Sequence, residues 1–385
     1  MRVLQIADTS KISAPSPLPL SQNKKHFGRG DQSSSHATSF RLANKDSYME
    51  IILTCLFVFI LSTFITYLVR FLAIHKNILD IPNERSSHEI PTPRGGGIAI
   101  VICFNLSLIW FAIMGMISLN FVCALVGGGI LIALIGYYDD IYSVKARTRI
   151  IVHLLAALWA VYWIGGFSTL DLGTWKFVLH GKGLFLAVIG IVWCINLYNF
   201  MDGIDGLAGS EGLFVASASA VAFWFLHDFN LLLTTCLLAA AIAGFTIWNW
   251  PPAKIFLGDV GSGFLGYVFS VLAIYSANQH LLPINFWLIL LSVFLCDATF
   301  TVIVRALQGK SWYLAHREHA YQNLILRGIS HKQTTLGILA LNACILLPLA
   351  FATLYWPSQS FWLMISAITG LLLIWISIKF NRQVR

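Results

Sequence analysis

The sequence is short of charge. Only 11% of its 385 residues are Asp, Glu, Lys or Arg, and 57% are hydrophobic. An ordinary soluble domain has about 25% charged and roughly 45–50% apolar residues. So few charged side chains cannot cover the surface of a globule of this size, and a water-soluble fold is therefore excluded.

Cysteine is also sparse, and its arrangement excludes redox chemistry. The seven cysteines form no C-x-x-C pair and show no metal-ligand spacing. All of them fall inside apolar segments, at Cys55, Cys103, Cys123, Cys194, Cys236, Cys296 and Cys344. We interpret them as small buried apolar residues.

Long apolar runs dominate the rest of the chain. A helix needs about 20 apolar residues to cross about 30 Å of hydrocarbon, because each residue advances about 1.5 Å. Eleven runs approach this length, near 50–74, 97–118, 121–138, 150–165, 183–198, 211–227, 231–248, 262–277, 283–305, 336–356 and 359–379. Because they lack the alternation of barrel strands, the runs predict an all-α fold, a polytopic membrane bundle of transmembrane helices with functional cytoplasmic loops.

The net charge of +8 is distributed unevenly between the connections. Basic residues concentrate on alternate connections, at Lys76, Arg85, Arg94, Lys145, Arg147, Arg149, Lys254, Arg305, Lys310, Arg317, Arg327, Lys332, Lys379, Arg382 and Arg385. The opposite connections hold only Lys176 and Lys182. The positive-inside rule assigns the basic set and the C-terminus to the cytoplasm, which explains the excess charge without a nucleic-acid partner.

The first 48 residues differ in kind from the rest. They are polar, rich in Ser, Lys and Asn, and lack the central apolar region of a signal peptide. This composition predicts a disordered extension over 1–48. Met49 directly precedes the first apolar run and is an alternative start of translation, and residues 49–385 are expected to form a single transmembrane domain.

Acidic residues gather on the predicted cytoplasmic side. The set comprises Asp80, Glu84, Glu89, Asp139, Asp140, Asp202, Asp205, Glu211, Asp259 and Glu318, whereas the outer connections hold only Asp171 and Asp228. The positive-inside rule does not govern carboxylates, so topology alone does not require this asymmetry. Carboxylates beside cationic side chains favour a site for a divalent metal and a polyanionic ligand.

Asp139 and Asp140 follow the third run. Adjacent carboxylates at a membrane boundary repel each other and lose hydration, so a metal, a shared proton or a nearby cation is needed to stabilise them. Lys145, Arg147 and Arg149 follow closely and can supply positive charge. The pair predicts functional groups, with a solvated helix end as the alternative interpretation.

The segment NFMDGIDG at 199–206 ends the fifth run. Asn199 and Asp202 are three residues apart and share a face if the helix continues, while Gly203 and Gly206 permit a turn that presents Asp205. Oxygen ligands of this type suit Mg²⁺. An EF-hand is excluded, because the twelve-residue loop with its final Glu is missing.

The segment KIFLGDVGSG at 254–263 follows Trp250, Pro251 and Pro252. The prolines end the preceding helix, the glycines allow backbone to approach a ligand closely, and Asp259 is expected at the mouth of the next helix. No strand precedes these glycines, so Rossmann and P-loop interpretations are rejected.

The segment HREHAYQ at 316–322 lies in the last long inner loop. Arg317 suits bidentate phosphate binding, and His316 and His319 can donate to phosphate oxygens, which predicts a clamp for a diphosphate. The alternatives are an ordinary basic loop and a zinc site, for which no third soft ligand lies nearby. Asp297, in the middle of the ninth run, is either a functional group or a structural hydrogen-bond acceptor.

Five motifs together closely resemble the polyprenyl-phosphate N-acetylhexosamine-1-phosphate transferases of glycosyltransferase family 4. They are DIPNERSSHEIPTPRGGG at 80–97, GYYDD at 136–140, NFMDGIDGLAG at 199–209, KIFLGDVGSGFLG at 254–266 and HREHAYQ at 316–322. Their order and spacing match the family across essentially all of residues 50–335. The last motif departs from the three-histidine form of the peptidoglycan branch and is similar to the branch that initiates O-antigen chains.

The resemblance implies roles for two groups of residues. It places Asp139 and Asp140 beside the prenyl phosphate as catalytic groups. It implies that Asn199 and Asp259 bind Mg²⁺, with Mn²⁺ as an alternative metal, and that Asp202 lies close by.

Further residues are expected to bind the nucleotide and its diphosphate. These are Asp205, Arg149, His316, Arg317 and His319. Additional candidates at the site are Arg94, Lys145 and Asp297.

The implied reaction moves a sugar 1-phosphate from a UDP-sugar to undecaprenyl phosphate and releases UMP. The sugar is expected to be an N-acetylhexosamine or an N-acetylated 6-deoxyhexosamine, and the product to initiate O-antigen or another cell-envelope polysaccharide. The enzyme is expected in the bacterial cytoplasmic membrane, among membrane lipid, with its site on the cytoplasmic face. The oligomeric state is left open, with a homodimer as one option.

Two other classes of function compete with this interpretation. A secondary transporter or lipid flippase is compatible with many spans and intramembrane carboxylates, but it favours acids at the midplane and inverted repeats, which the sequence lacks. A purely structural membrane scaffold leaves the polar inner loops unexplained.

Overall fold

The computed structural model describes residues 45–82, 90–311 and 316–380, all of which belong to one compact unit. Residues 1–44 lie outside the described residues, and so does most of the segment predicted to be disordered. The alternative start at Met49 stays a prediction.

The described residues form fourteen α-helices and two small antiparallel sheets. The helices are α1 (Lys45–His75), α2 (Gly97–Ile113), α3 (Leu119–Tyr142), α4 (Ala146–Ile164), α5 (Lys182–Phe200), α6 (Leu207–Phe225), α7 (Phe229–Asn249), α8 (Gly258–Asn278), α9 (Ile284–Leu290), α10 (Ser292–Leu307), α11 (Ala320–Leu326), α12 (His331–Leu341), α13 (Leu347–Tyr355) and α14 (Ser360–Phe380). The strands are β1 (Leu79–Asp80) paired with β2 (Thr92–Pro93), and β3 (Thr169–Asp171) paired with β4 (Lys176–Val178). A π-helical turn, Asn342–Leu346, joins α12 to α13.

Nine helices in the described part of the chain are long and apolar enough to cross a membrane, and the bent pair α9 and α10 makes a tenth if it counts as one span. The all-α membrane fold is therefore confirmed. The second predicted run forms α2, which has only 17 residues. This apolar helix is too short to count among the nine, and it is one reason why the count falls below the eleven predicted spans.

The ninth predicted run, near 283–305, is not a straight helix. Helices α9 and α10 meet at Leu291 and are bent by 76°. Such a break leaves carbonyl groups without an intrahelical partner. The buried Ser292 Oγ donates to the carbonyl of Ile289 at 2.6 Å and replaces one of the lost hydrogen bonds. The expectation of one continuous span was wrong here because hydropathy does not reveal such local compensation.

Helix α8 is the central element of the bundle. In its most apolar stretch 89% of the residues are buried, against 22% in α1. It packs against α3 and α5, and Tyr267 on α8 donates to the carbonyl of Ala124 on α3 at 2.6 Å. Because α8 is enclosed by protein, its first turn is held in a defined position at one end of the bundle.

The connections gather at the two ends of the bundle as the charge pattern predicts. At one end, called here the site end, the Gly96 N–H donates to the carbonyl of Phe256 at 2.9 Å and joins two predicted inner loops. At the opposite end, Asn278 Nδ2 donates to the carbonyl of Gly166 at 3.1 Å and joins two predicted outer loops. Loops assigned to the same side therefore lie together.

A buried acid, Glu211 on α6, connects that helix to the π-helical turn. Asn342 Nδ2 donates to Glu211 Oε2 at 2.5 Å, and both residues are fully buried. Glu211 Oε1 and Asn342 Oδ1 have no hydrogen-bond partner among the described residues. A single proton on the Glu211 carboxyl supplies the donor that these two acceptors lack, whereas an ionised carboxylate here has no compensating charge.

We therefore expect Glu211→Gln to keep or raise the melting temperature, because its amide accepts from Asn342 Nδ2 and donates toward Asn342 Oδ1. Glu211→Leu leaves the buried Asn342 unpaired and should cost about 1–3 kcal/mol of stability. Thermal unfolding of the detergent-solubilised variants measures both effects. Equal destabilisation by the two substitutions would contradict the neutral carboxyl.

Candidate active site

The segment before α2 docks onto the loop before α8 through backbone hydrogen bonds. The Phe256 N–H donates to the carbonyl of Pro93 at 2.8 Å, and the Gly97 N–H donates to the carbonyl of Leu257 at 2.9 Å. A Cβ atom on Gly97 would lie 2.3 Å from the Cα of Gly261, so glycine is required for this close packing. Two motifs that are distant in the sequence thus form one surface.

Asp140 lies at the N-terminus of α8 and accepts two of its free N–H groups. Oδ1 accepts from the Asp259 N–H at 3.0 Å and Oδ2 from the Val260 N–H at 3.3 Å, while Arg94 Nε lies 3.7 Å from Oδ1. Gly258 has a φ of +76°, and a Cβ there would lie 2.5 Å from Asp140 Oδ2. Only 2% of the Asp140 side chain is exposed, so the solvated helix end is excluded.

Asp139 faces a different set of groups from its neighbour. Its Oδ1 accepts from the Val144 N–H at 2.5 Å, and its Oδ2 accepts from Arg149 Nη1 at 2.6 Å. The same Nη1 atom lies 3.4 Å from Asp259 Oδ2. Arg149 therefore holds the carboxylates of α3 and α8 together, as a cation placed between two negative charges.

Asn199 and Asp202 do not share a helical face. Helix α5 ends at Phe200, and the Asp202 N–H donates to the carbonyl of Asn199 at 3.1 Å in the turn that follows. The condition stated for this pair, a continuing helix, is therefore not met. Asn199 Oδ1 accepts from Ser262 Oγ at 3.2 Å, which leaves one of its two lone pairs free.

A small cavity at the site end brings together residues from four helices. Its polar lining consists of Asp139, Arg149, His153, Asn199 and Asp259, and isoleucines and glycines form the remaining wall. Four of these residues are predicted from the sequence: Asp139, Asn199 and Asp259 lie in three separate motifs, and Arg149 follows the aspartate pair. His153 is not among the predicted residues, and the signal that reveals it is its position four residues after Arg149, on the same face of α4.

The site carries more negative than positive charge. Two guanidinium groups, those of Arg94 and Arg149, lie among the carboxylates of Asp80, Asp139, Asp140, Asp202 and Asp259. Burial raises the pKa of Asp202 to about 7, and the nearby charge of Asp259 contributes to the increase. This surplus of negative charge is an environment that stabilises a bound cation.

The residues fit a magnesium ion that takes some of its ligands from the protein and the others from a substrate. Among the described residues, no group of three or more His, Cys, Asp or Glu side chains is arranged to hold a metal by itself. Mg²⁺ usually takes one or two carboxylates and completes its shell with water and phosphate oxygens. Asn199 and Asp259 line the same cavity and fit such a partial set. The predicted role of Asp202 beside them stays a prediction.

Asp205 connects three segments at the site end. Its Oδ2 accepts from the Ala253 N–H at 3.0 Å, its Oδ1 lies 3.3 Å from His331 Nδ1, and its carbonyl accepts from Thr335 Oγ1 at 3.2 Å. Gly206, with a φ of +75°, forms the expected turn beside it. The predicted contact between Asp205 and a nucleotide stays a prediction.

Asp297 holds the start of α11, within the segment 316–322. Its two carboxylate oxygens accept from the Ala320 N–H at 2.8 Å and the Tyr321 N–H at 3.3 Å. Trp375 Nε1 donates at 3.1 Å and Thr301 Oγ1 at 3.2 Å. Of the two interpretations of Asp297, the geometry supports the structural acceptor, which positions this segment.

His316 and His319 stack on each other with ring centroids 4.7 Å apart, close to the ring of Phe200. Both ring nitrogens of His316 are buried without a hydrogen-bond partner among the described residues, whereas His319 Nδ1 lies 3.7 Å from Asp297 Oδ1. Burial, together with the positive charge of neighbouring groups, lowers the pKa of His316 to about 4. At neutral pH it therefore offers a neutral donor and acceptor, rather than a cation, to a ligand.

Glu318, the acidic residue of the segment 316–322, has its negative charge balanced by basic side chains. Glu318 pairs with Arg305, with Lys310 at 3.1 Å and with Lys379 at 3.8 Å. Arg317 is half-buried beside it. The prediction that Arg317 binds a diphosphate stays a prediction.

Two of the additional basic candidates differ in their contacts. Arg94 Nη2 donates to Asp80 Oδ2 at 2.7 Å, which places Arg94 between Asp80 and Asp140 at the site. Lys145 is exposed at the start of α4, and its ammonium group forms no ion pair within the described part of the chain. Its carbonyl accepts from the Arg149 N–H at 3.3 Å, so its contribution to the geometry is through the backbone.

The fold and the site define a polytopic membrane protein with an acidic, arginine-containing cavity at one end of its bundle. A model of glycosyl transferase family 4 matches residues 121–277, from the first turn of α3 to the last turn of α8. Curated relatives extend the similarity beyond that region.

A probable undecaprenyl-phosphate N-acetylglucosaminyl 1-phosphate transferase of Bacillus subtilis (strain 168) is 32% identical over 281 residues, which cover 71% of this chain and 77% of the relative. A decaprenyl-phosphate N-acetylglucosaminephosphotransferase of Mycolicibacterium smegmatis is 29% identical, covering 76% and 81%. The undecaprenyl-phosphate alpha-N-acetylglucosaminyl 1-phosphate transferase of Escherichia coli (strain K12) is 27% identical, covering 72% and 77%. The chain belongs to this family, the polyprenyl-phosphate N-acetylhexosamine-1-phosphate transferases, and it is a membrane-embedded transferase.

The role of Asp297 is testable by a substitution that keeps its size. Asp297→Asn replaces one acceptor oxygen by an NH₂ group that faces existing donors, so we expect a loss of about 1–3 kcal/mol of stability. We also expect a higher KM for the sugar donor, because the segment 316–322 loses its anchor.

Thermal unfolding in detergent and steady-state kinetics measure these effects. The matched control is Asp171→Asn at the opposite end, where 42% of the side chain is exposed. There Oδ2 pairs with Lys176, and Oδ1 accepts from the Gly173 N–H, a contact that the Asn side-chain oxygen can keep. An Asp297→Asn protein as stable as this control would contradict the anchoring role.

Proposed function

We propose that the chain transfers an N-acetylhexosamine 1-phosphate from a UDP-sugar to undecaprenyl phosphate and releases UMP. The observation that carries this proposal is the single cavity at the site end, which collects Asp139, Arg149, Asn199 and Asp259 from four helices. A positive guanidinium beside a surplus of carboxylates suits a metal-bound diphosphate. The names of the curated relatives agree with this substrate class.

The metal would be held by Asn199 and Asp259, with Asp202 close by. Both ligands are fixed before any substrate binds, because Asn199 accepts from Ser262 and Asp259 stands in the first turn of the enclosed helix α8. When bound, Mg²⁺ neutralises the charge that develops on a leaving phosphate. Mn²⁺ is an alternative metal for the same oxygen ligands.

In the proposed reaction an oxygen of undecaprenyl phosphate attacks the β-phosphorus of the UDP-sugar. The bond to the bridging oxygen breaks, UMP leaves with that electron pair, and a lipid-linked sugar diphosphate forms. The acceptor phosphate has a second pKa of about 6, so it is largely dianionic at neutral pH and needs no strong base. A single-step transfer is therefore sufficient.

The two adjacent aspartates have separate roles in this proposal. Asp140 accepts from the Asp259 and Val260 N–H groups, so its work is to fix the N-terminus of α8. Asp139 lines the cavity and pairs with Arg149. Asp139 is thus the member of the pair that orients Arg149 toward a phosphate or accepts a proton from the acceptor.

The donor sugar is expected to contact the segment 316–322. The ring of His316, whose nitrogens have no hydrogen-bond partner among the described residues, and the ring of His319 lie beside Phe200, next to the predicted metal ligand Asn199 at the end of α5. The relatives favour N-acetylglucosamine, and the motif HREHAYQ favours an N-acetylated 6-deoxyhexosamine of an O-antigen pathway. Both are N-acetylhexosamine derivatives, and the proposal holds for either.

The proposed location is the bacterial cytoplasmic membrane, with the cavity on the cytoplasmic face. The supporting observation is the distribution of basic loops, which lie with the cavity at the site end. UDP-sugars are made in the cytoplasm, so this orientation gives the donor direct access.

The decisive experiment incubates the purified protein with undecaprenyl phosphate, Mg²⁺ and a panel of UDP-sugars. UMP release together with a lipid-linked sugar diphosphate supports the proposal and identifies the donor. Omission of Mg²⁺ or addition of a chelator should abolish both products. Movement of a substrate across vesicles without UMP release would instead indicate a transporter or flippase.

Asp259→Asn tests the metal ligand. We expect it to abolish magnesium-dependent transfer, since a neutral amide replaces the carboxylate, while the protein stays inserted and folded. Transfer activity and thermal unfolding are measured beside Asp171→Asn as the matched control. Turnover at the wild-type rate would refute the role of Asp259.

Substitution of the aspartate pair tests the division of roles. For Asp139→Asn and Asp140→Asn we expect rate losses of about 10²- to 10⁴-fold. Asp140→Asn should lower the melting temperature more than Asp139→Asn, because both Asp140 oxygens accept from N–H groups of α8 and the amide NH₂ would face one of these donors, at a cost of about 1–3 kcal/mol. The opposite order of melting temperatures would contradict the assignment.

A further inference from the structure

His153 is a polar residue in the wall of the cavity that the motifs do not contain. It lies on α4 one turn after Arg149, only 6% of it is exposed, and it lines the cavity together with Asp139, Asn199 and Asp259. A buried histidine in an apolar helix is costly unless its two ring nitrogens have partners. The contacts of these nitrogens therefore decide what the residue does.

The first nitrogen, Nδ1, has a partner whose orientation is fixed by a third group. Asn196 Nδ2 lies 2.7 Å from the carbonyl oxygen of Val192, one turn earlier on α5. A carbonyl accepts hydrogen bonds and never donates, so the atom beside it must be the NH₂ group of the amide. The same NH₂ group lies 3.2 Å from His153 Nδ1. The amide thus points a second hydrogen at the imidazole.

This contact fixes the tautomer of the imidazole. A nitrogen that faces an N–H group must accept, so Nδ1 carries the lone pair and Nε2 carries the proton. A doubly protonated ring would place two N–H groups against each other. His153 is therefore a neutral imidazole whose remaining polar group is an Nε2–H donor.

The second nitrogen is available to a ligand. Nε2 has no hydrogen-bond partner among the described residues. It is also not fully enclosed by protein atoms. The ring that carries it lines the cavity. A donor without a protein partner at the edge of a cavity lined by Arg149 and carboxylates suits an anionic oxygen.

We propose that His153 is a further binding residue of this transferase, which donates a hydrogen bond from Nε2 to a phosphoryl oxygen of a substrate in the cavity, with Asn196 as its positioning residue. The phosphoryl oxygen belongs either to the prenyl phosphate or to the diphosphate of the sugar nucleotide. A role as general base is excluded in this arrangement, because the available nitrogen carries a proton. This inference rests on the proposed transfer of a sugar 1-phosphate.

The central test compares His153→Gln with His153→Leu. The Gln amide nitrogen extends to about the position of Nε2 and keeps a donor, whereas Leu fills the volume without one. We expect His153→Gln to stay within several-fold of wild type and His153→Leu to lose about 10- to 100-fold in kcat/KM, as for a hydrogen bond to a charged group. His180→Leu, at an exposed position on the opposite end, is the matched control.

The kinetic split identifies the phosphate. A loss confined to the KM or kcat/KM of the UDP-sugar assigns the contact to its diphosphate, and a loss confined to undecaprenyl phosphate assigns it to the acceptor. Melting temperatures should be equal for His153→Leu and wild type within a few degrees. Wild-type kinetics of His153→Leu for both substrates would overturn the proposal while leaving the transferase function intact.

A spectroscopic measurement tests the positioning role independently of turnover. The ¹⁵N resonances of His153, identified by their absence in His153→Gln, should report the Nε2–H tautomer at neutral pH. In Asn196→Leu, which removes the fixed donor, the ring should become a mixture of tautomers, and kcat/KM should fall by an intermediate factor. A wild-type Nδ1–H tautomer would overturn the inference even if the protein were to have no transferase activity.

Discussion

The site depends on one interaction, the capping of helix α8 by Asp140. The N–H groups at the start of α8 have no partner within the helix, and this end is enclosed by protein. Asp140 accepts from two of them, and it belongs to α3. The capping contact therefore fixes α3 against α8 at the site end.

The position of Asp139 follows from this contact. Because it directly precedes Asp140, the cap places its carboxylate close enough to Asp259 for Arg149 to contact both. Gly258 adopts a positive φ and leaves room for the Asp140 oxygens. In this adjacent pair, Asp140 has a structural role and Asp139 faces the cavity. Neither carboxylate is in a position to take the role of the other.

The surplus of negative charge is retained because other contacts stabilise the fold around it. The backbone pairing of 93–97 with 256–257, the tyrosine contact between α8 and α3, and the anchoring of segment 316–322 by Asp297 use none of the polar atoms of the cavity. The family motifs lie on alternate loops, and these loops meet at the site end. Each loop brings one or two polar residues, and the enclosed helix α8 holds them together.

The sequence by itself determined the membrane class, the gathering of inner loops at one end and the motifs that supply the site. These features depend on composition, apolar length and charge, which are local properties of the chain. The family also follows from the motifs, because their order and spacing are written in the sequence. Three of the five polar residues of the cavity, Asp139, Asn199 and Asp259, lie in these motifs, and Arg149 is recognisable as a cation that follows the aspartate pair.

Only the tertiary structure decided which of the two adjacent aspartates faces the cavity and that Asp297 is a structural acceptor. It also decided that α5 ends before Asp202 and that the ninth run is bent. It also revealed His153. Each of these depends on hydrogen bonds between residues that are distant in the sequence, such as Asp140 with α8 or Asn196 with His153. Hydropathy and spacing do not encode such pairings, because the free energy of a buried polar group is set by the partner that the fold brings to it.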